Sequence, residues 1–185
     1  MKTQIQFVLI SFLFFTVLTA CGPSKASIAS ATAEAYNTSG KAYADTGDLE
    51  RAISEYDQAI QLKPDFAEAY LNRGNAHRKN GDLDLAISDF DQAIQLKPDF
   101  VEAYLNRGSA YYHLGKGDRA FSDFNQVIQL NPGNAYAYYN RGLVYAAKGE
   151  KENAIADFQN VLVLCGDDSR LCQDAQQQLE TLEDK

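Results

Sequence analysis

Few side chains of this sequence have the type and spacing that catalysis or metal binding requires. Its cysteines are Cys21, Cys165 and Cys172, and its histidines are His77 and His113. Cysteine and histidine act as nucleophiles, general bases or metal ligands only when further groups lie at suitable positions around them. No GxSxG, HExxH, Walker or dinucleotide-binding glycine motif accompanies them. We therefore predict no enzymatic activity, no metal site and no cofactor.

The elements that carry these side chains recur along the chain at a constant interval. Pro64, Pro98 and Pro132 are each thirty-four residues apart. The segment QAIQLKPDF occurs at residues 58–66 and again at 92–100, and QVIQLNPGN follows at 126–134. A fixed period of this size is typical of stacked-repeat proteins, in which each unit buries its apolar face against its neighbours.

Each copy is predicted to be a helix, a tight turn and a second helix. In residues 67–100, apolar residues recur three and four apart on both sides of Gly81. Gly81 can adopt the left-handed conformation that ends a helix, and Asp82 can cap the next one, so carboxylates here indicate helix starts. Pro98 ends the second helix, because its ring cannot continue the hydrogen-bonded backbone. Gly117, early in the third copy's second helix, is expected to loosen that helix locally.

Small and large residues recur at matched positions. Glycine disfavours a helix interior by about 1 kcal/mol relative to alanine, so its recurrence there predicts a close approach of two helices. The glycines are Gly40, Gly74, Gly108 and Gly142, and the large residues predicted to face them are Tyr56, Phe90, Phe124 and Phe158.

This pattern resembles the tetratricopeptide repeat (TPR). Four copies match, at residues 33–66, 67–100, 101–134 and 135–168. The resemblance implies an all-α fold, an α-solenoid of four helix-turn-helix repeats, and residues 169–185 keep the apolar spacing of a C-terminal capping helix and tail. His77 occupies a core position where the family usually has Tyr. Arg73, Arg107 and Arg141 stand where many TPRs have Leu.

The N-terminus resembles the signal peptide of bacterial lipoproteins. Residues 1–20 contain an early lysine and an apolar run, and they end in Leu-Thr-Ala before Cys21, which is similar to a lipobox. The resemblance implies cleavage before Cys21 and attachment of lipid chains to it, and several chains anchor a protein stably. Residues 21–32, small and polar after the cysteine, are interpreted as a tether. An ordinary secretory signal and a retained anchor helix remain the alternatives.

The charge and the remaining cysteines restrict the partners further. The net charge is −8, and removal of residues 1–20, which contain one cation, Lys2, would leave −9. Such a chain is unsuited to binding nucleic acid, because basic residues must neutralise the phosphates. Cys165 and Cys172 form an even pair, which outside the cytoplasm indicates a possible disulfide, although two reduced thiols remain the alternative.

A binding surface is predicted on the first helices, which line the concave side of such a solenoid. Asn72, Asn106 and Asn140, which we term the asparagine ladder, can donate to and accept from a peptide backbone. Similar asparagines hold extended polypeptides in some TPR proteins, but they could equally serve hydrogen bonds inside the protein. The other groove residues predicted are Leu71, Leu105, Tyr139, Asn75, Arg78, Tyr112 and Tyr136.

The function predicted from these features is that of an adaptor. We expect a lipid-anchored protein on the extracytoplasmic side of a bacterial membrane that binds a peptide or helix of a partner protein, in envelope assembly. The alternative is a structural homo-oligomer without a peptide client, since near-identical repeats permit domain swapping.

Overall fold

The computed structural model describes residues 24–166 and 170–184. Within these ranges the chain forms helices and no strand, which confirms the predicted all-α fold. The helices are α1 (Lys25–Thr46), α2 (Leu49–Leu62), α3 (Ala67–Asn80), α4 (Leu83–Leu96), α5 (Val101–His113), α6 (Gly117–Leu130), α7 (Ala135–Ala147), α8 (Lys151–Cys165) and α9 (Arg170–Glu183). The predicted signal peptide and Cys21 lie outside the described residues. None of the described helices is both long and apolar enough to span a membrane.

The helices form two layers. Each helix packs against the next one in the chain, and α1, α3, α5 and α7 also touch one another in series. We call these four the A helices, and α2, α4, α6 and α8 the B helices. The A helices therefore form the inner layer of a solenoid, and repeats 1 to 4 each contribute one A and one B helix.

The predicted contact between glycines and aromatic rings holds the two helices of each repeat together. A Cβ atom placed on Gly74 would lie 2.7 Å from Phe90 Cε1, and one on Gly108 would lie 2.7 Å from Phe124 Cε1. Phe90 and Phe124 are fully buried. Only a residue without a side chain permits this approach, so the cost of glycine in a helix is offset by the burial of a whole ring.

The helix ends follow the predicted turn chemistry with two differences. Gly81 ends α3 with φ of 92°, in the left-handed region. Asp82 precedes α4, but its carboxylate accepts a hydrogen bond from Asn80 Nδ2 (2.7 Å) and makes no cap bond to α4. Gly117 is the first residue of α6, so the penalty of an interior glycine does not apply and the expected loosening does not follow.

Residues 25–32 of the predicted tether form the first two turns of α1. Ser24 caps the helix by accepting a hydrogen bond from the backbone N–H of Ser27 (3.1 Å), and the alanines that follow favour helix. Eight helical residues span about 12 Å instead of the roughly 27 Å of an extended chain. The distance that this segment can bridge is thereby shortened.

Helix α9 caps the solenoid. Its Ala175 and Leu179 complete a buried cluster with Ala154, Phe158 and Val161 of α8. A disulfide bond joins Cys165 at the end of α8 to Cys172 in the first half of α9, with the Cα atoms 5.9 Å apart. The opposite face of α9 exposes glutamine and glutamate side chains, as a terminal cap requires.

Candidate functional site

The inner surface of the A helices is the candidate site, and its polarity changes along the solenoid. The second position of each repeat exposes its side chain, which is Glu34, Glu68, Glu102 or Tyr136. Tyr136 is 60% exposed, which is unusual for a large aromatic side chain. Toward repeat 4 the surface also carries Tyr139, so the groove is charged at its N-terminal end and aromatic at its C-terminal end.

The asparagine ladder is partly engaged within the protein. Asn72 Nδ2 donates a hydrogen bond to Asn37 Oδ1 (2.9 Å), and Asn106 Nδ2 donates one to Asn75 Oδ1 (2.9 Å). Both bonds join one A helix to the preceding A helix. Each amide keeps a second N–H and its carbonyl oxygen, so it can still bind a backbone in the groove. Asn140 makes no side-chain hydrogen bond within the described ranges.

The structure removes one predicted residue from the groove. Leu71 is only 4% exposed and packs in a core cluster with Ala86, Phe90, Ala93 and Ala103. Its prediction as a contact residue is wrong, because spacing along α3 does not show that α4 and the next repeat cover this position. Leu105 is half-buried against the neighbouring cluster, so only part of its side chain is exposed.

The remaining predicted groove residues are half-buried or exposed. Tyr139 rests on Phe158, with ring centroids 5.7 Å apart, and burial raises its pKa, assisted by the charges of Asp174 and Tyr112. Arg78 is half-buried, its Nε has no hydrogen-bond partner, and no carboxylate of the described residues pairs with it. Because this Nε is buried, it is not itself available to a partner, and contact of Arg78 with a partner stays a prediction.

Two depressions open along this surface. One, of about 160 Å³, lies between repeats 1 and 2 and is lined by Lys41, Ala44, Asp45, Tyr56, Asn72, Asn75, Ala76 and Lys79. The other, of about 310 Å³, lies between repeats 3 and 4. Both occur where an A helix meets the following repeat, so a chain lying along the groove would pass them in order.

These repeats match a known family. A family model described as TPR repeat matches residues 40–81, 74–115 and 108–149, and one described as tetratricopeptide repeat matches residues 135–168. The chain is a TPR protein. TPR proteins are in general interaction modules.

Three solved TPR structures illustrate the similarity. The crystal structure of MamA is 31% identical over 70% of this chain and 76% of its own, with a TM-score of 0.68. The first TPR of Spaghetti (RPAP3), bound to HSP90 peptide SRMEEVD, is 27% identical over 65% of this chain and 95% of its own, with a TM-score of 0.64. MamA from Desulfovibrio magneticus RS-1, 21% identical over 83% of this chain and 90% of its own with a TM-score of 0.71, shows likeness of fold alone. No curated protein sequence matched the chain.

Arginine side chains of repeats 2, 3 and 4 form hydrogen bonds that connect each of these repeats to the preceding one. Arg107 Nε and Nη2 donate to the two carboxylate oxygens of Asp123 (2.9 and 2.7 Å), while Nη1 donates to Asp91 of the preceding B helix (2.5 Å). Burial lowers the pKa of Arg107, but the hydrogen bonds and charges of Asp123 and Asp91 raise it above its usual value. The same arrangement joins Arg73 to Asp89 and Asp57, and Arg141 to Asp157 and Asn125.

We call these three sets the arginine bridges. Sequence reasoning noted the arginines but not their partners. The signal was available, since each arginine has a carboxylate or amide residue sixteen positions before it and an aspartate sixteen positions after it. The bridges join the A helix of one repeat to the B helices of the same repeat and the preceding repeat.

The two histidines form no catalytic arrangement in the described part of the chain. His77 is half-buried at a core position, with its ring nitrogens 3.9 Å from carboxylate oxygens of Asp82 and Asp89. His113 is exposed, and its ring meets the edge of Tyr112 with centroids 6.1 Å apart. Within the described ranges no group of three or more histidine, cysteine or acidic side chains could hold a metal ion.

Proposed function

We propose that this protein is a membrane-anchored adaptor that binds an extended segment of a partner protein in the groove of its A helices, and that it is not an enzyme. The observation that carries this proposal is the inner surface itself, where half-exposed amides and tyrosines follow one another through successive repeats. Amides suit the polar backbone of a bound chain, and tyrosines suit its side chains. That a TPR domain 27% identical to this chain is bound to a peptide supports the proposal.

Photo-crosslinking tests whether a partner binds in the groove. The full chain is expressed in its native cells. A photoreactive phenylalanine analogue replaces Tyr139 or Tyr112, and in the controls it replaces Gln61 or Gln95, which are exposed on B helices. We expect discrete adducts with one partner protein from the groove positions only. Equal adducts from both sets, or adducts from the B helices alone, would refute groove binding.

The variant Asn140→Ala tests the asparagine ladder more directly than a change of Asn72 or Asn106. Because Asn140 makes no side-chain bond within the described ranges, its loss should weaken partner binding and leave the melting temperature unchanged. Asn106→Ala is the matched control, since it removes the bond to Asn75 and should cost about 1 kcal/mol of stability as well. Partner binding that survives Asn140→Ala would remove the ladder from the site.

We further propose that Cys21 bears the lipid anchor and that the TPR domain faces away from the cytoplasm of a bacterial envelope. The lipobox resemblance supports this. Cys21→Ser should abolish labelling with an alkyne fatty acid and release the chain from membranes, whereas Cys172→Ser should keep the label. A labelled Cys21→Ser variant would contradict the assignment.

The homo-oligomer alternative makes a different prediction for the purified protein. The polar outer face of α9 disfavours end-to-end stacking. We expect a monomer whose mass by light scattering does not change with concentration, and a rising mass would favour self-assembly instead.

A further inference from the structure

The third repeat differs from the first two at the residue that closes the junction with the next repeat. Helices α2 and α4 begin with Leu49 and Leu83, whereas α6 begins with Gly117. Leu49 packs against a cluster that contains Ala76, and Leu83 against one that contains Ala110. In repeats 1 and 2, therefore, a leucine fills the space between a B helix and the following A helix.

At the corresponding position of repeat 3, Gly117 has no side chain that could fill the junction. The facing residue is Val144, at the position that Ala76 and Ala110 hold in the other repeats. A Cβ atom on Gly117 would meet only Val144 Cγ1, at 3.9 Å, which is ordinary contact. Valine for alanine restores only part of the volume that glycine for leucine removes, and Val144 itself is only 1% exposed, so the space that remains lies over Gly117.

This space is the larger of the two depressions, of about 310 Å³, and we call it the Gly117 pocket. Its walls are Tyr112, Gly115, Gly117, Asp118, Val144, Ala147 and Lys148. Tyr112 and Ala147 lie on the inner face of the A helices, so the pocket opens onto the groove. At its rim, Lys148 Nζ and Asp118 Oδ1 form an exposed ion pair at 2.6 Å, and such pairs open at little cost.

We propose that the Gly117 pocket binds an aliphatic side chain, of the size of leucine or isoleucine, from the partner segment in the groove. This rests on the proposed groove binding and assigns its specificity. The chain itself shows which side chain suits the site, because Leu49 and Leu83 occupy the same position in repeats 1 and 2. The paired charges at the rim leave no net charge to attract an ionised side chain, which would lose hydration against Tyr112 and Ala147.

A phage-displayed library of random dodecapeptides, selected on the full chain, identifies peptides to test. Each selected peptide is then resynthesised with its aliphatic residues changed to alanine one at a time. We expect one aliphatic residue whose loss weakens binding about tenfold, because an open pocket buries only part of the side chain. In the variant Gly117→Leu, which fills the pocket from inside, the same change should alter binding less than twofold.

The control Lys151→Leu adds the same side chain at the same position of α8, outside the pocket, and should behave as wild type. Ala147→Leu narrows the pocket from α7 at an exposed site and serves if Gly117→Leu does not fold. A tenfold effect retained in the filled variants would overturn the pocket while leaving groove binding intact. If no peptide is selected at all, groove binding itself fails, and the pocket proposal fails with it.

Discussion

Replacing Arg107 with leucine, the residue that many TPRs have at this position, should be strongly destabilising in this protein. Arg107 donates two hydrogen bonds to Asp123, whose side chain is only 6% exposed. Without the guanidinium, a carboxylate remains buried with no partner, and breaking a buried pair in this way costs about 3 to 5 kcal/mol. Urea unfolding followed by circular dichroism at 222 nm measures the loss.

The double variant Arg107→Leu with Asp123→Leu separates the pair from its surroundings. Both charges are then absent, so we expect most of the lost stability to return, to within about 1 kcal/mol of wild type. The buried-pair reasoning is refuted if the single variant costs less than about 1 kcal/mol, or if the double variant is no more stable than the single one.

The hydrogen bond from Arg107 Nη1 to Asp91, which we call the outer arm of the bridge, supplies an internal control. The Asp91 side chain is 47% exposed, and the equivalent residue in the next bridge is Asn125, which still accepts a hydrogen bond from Arg141 at 2.6 Å. Asp91→Asn should therefore cost at most about 1 kcal/mol, as is usual for an exposed ion pair. A larger loss would mean that the outer arm, rather than Asp123, holds the arginine in place.

Three further predictions concern the core and the cap. Burial, and to a smaller extent the charge of Asp45, raises the pKa of Tyr56 from 10.0 to about 12. The stability that the neutral phenol contributes is therefore fully present below pH 10 and is lost as the pH rises toward 12. At about pH 11, wild type should have lost on the order of 1 kcal/mol more stability in urea titrations than Tyr56→Phe, and equal losses would contradict this. Gly108→Ala places a methyl group 2.7 Å from Phe124, so it should lower the free energy of unfolding by about 1 to 3 kcal/mol. An unchanged melting temperature would mean that the ring can move aside without cost. Reduction of the disulfide between Cys165 and Cys172 should lower the stability of the docked α9 by about 2.5 kcal/mol. We expect faster amide hydrogen exchange in that helix alone. Faster exchange in all repeats would argue against a local cap.

The sequence alone predicted the fold because the information that specifies a helical hairpin lies within one repeat. The pairing of Gly74 with Phe90 involves residues of a single repeat and recurs in every copy, so it is visible as a period. The turn at Gly81 and the end of α4 before Pro98 are equally local. The first turns of α1 were missed, because the small polar residues suited to a tether also form a helix once Ser24 caps it.

The tertiary structure decided what each side chain of the A helices does, because that depends on residues of the neighbouring repeats. The sequence placed Asn72, Asn106 and Asn140 on one face, but only packing determined that the first two bond to a preceding helix and the third does not. Packing likewise buried Leu71 against α4 and the next repeat, and it left only Val144 within 4 Å of a Cβ atom placed on Gly117. Periodicity describes a helix and its hairpin partner, whereas exposure, ion pairing and cavities arise from contacts between repeats.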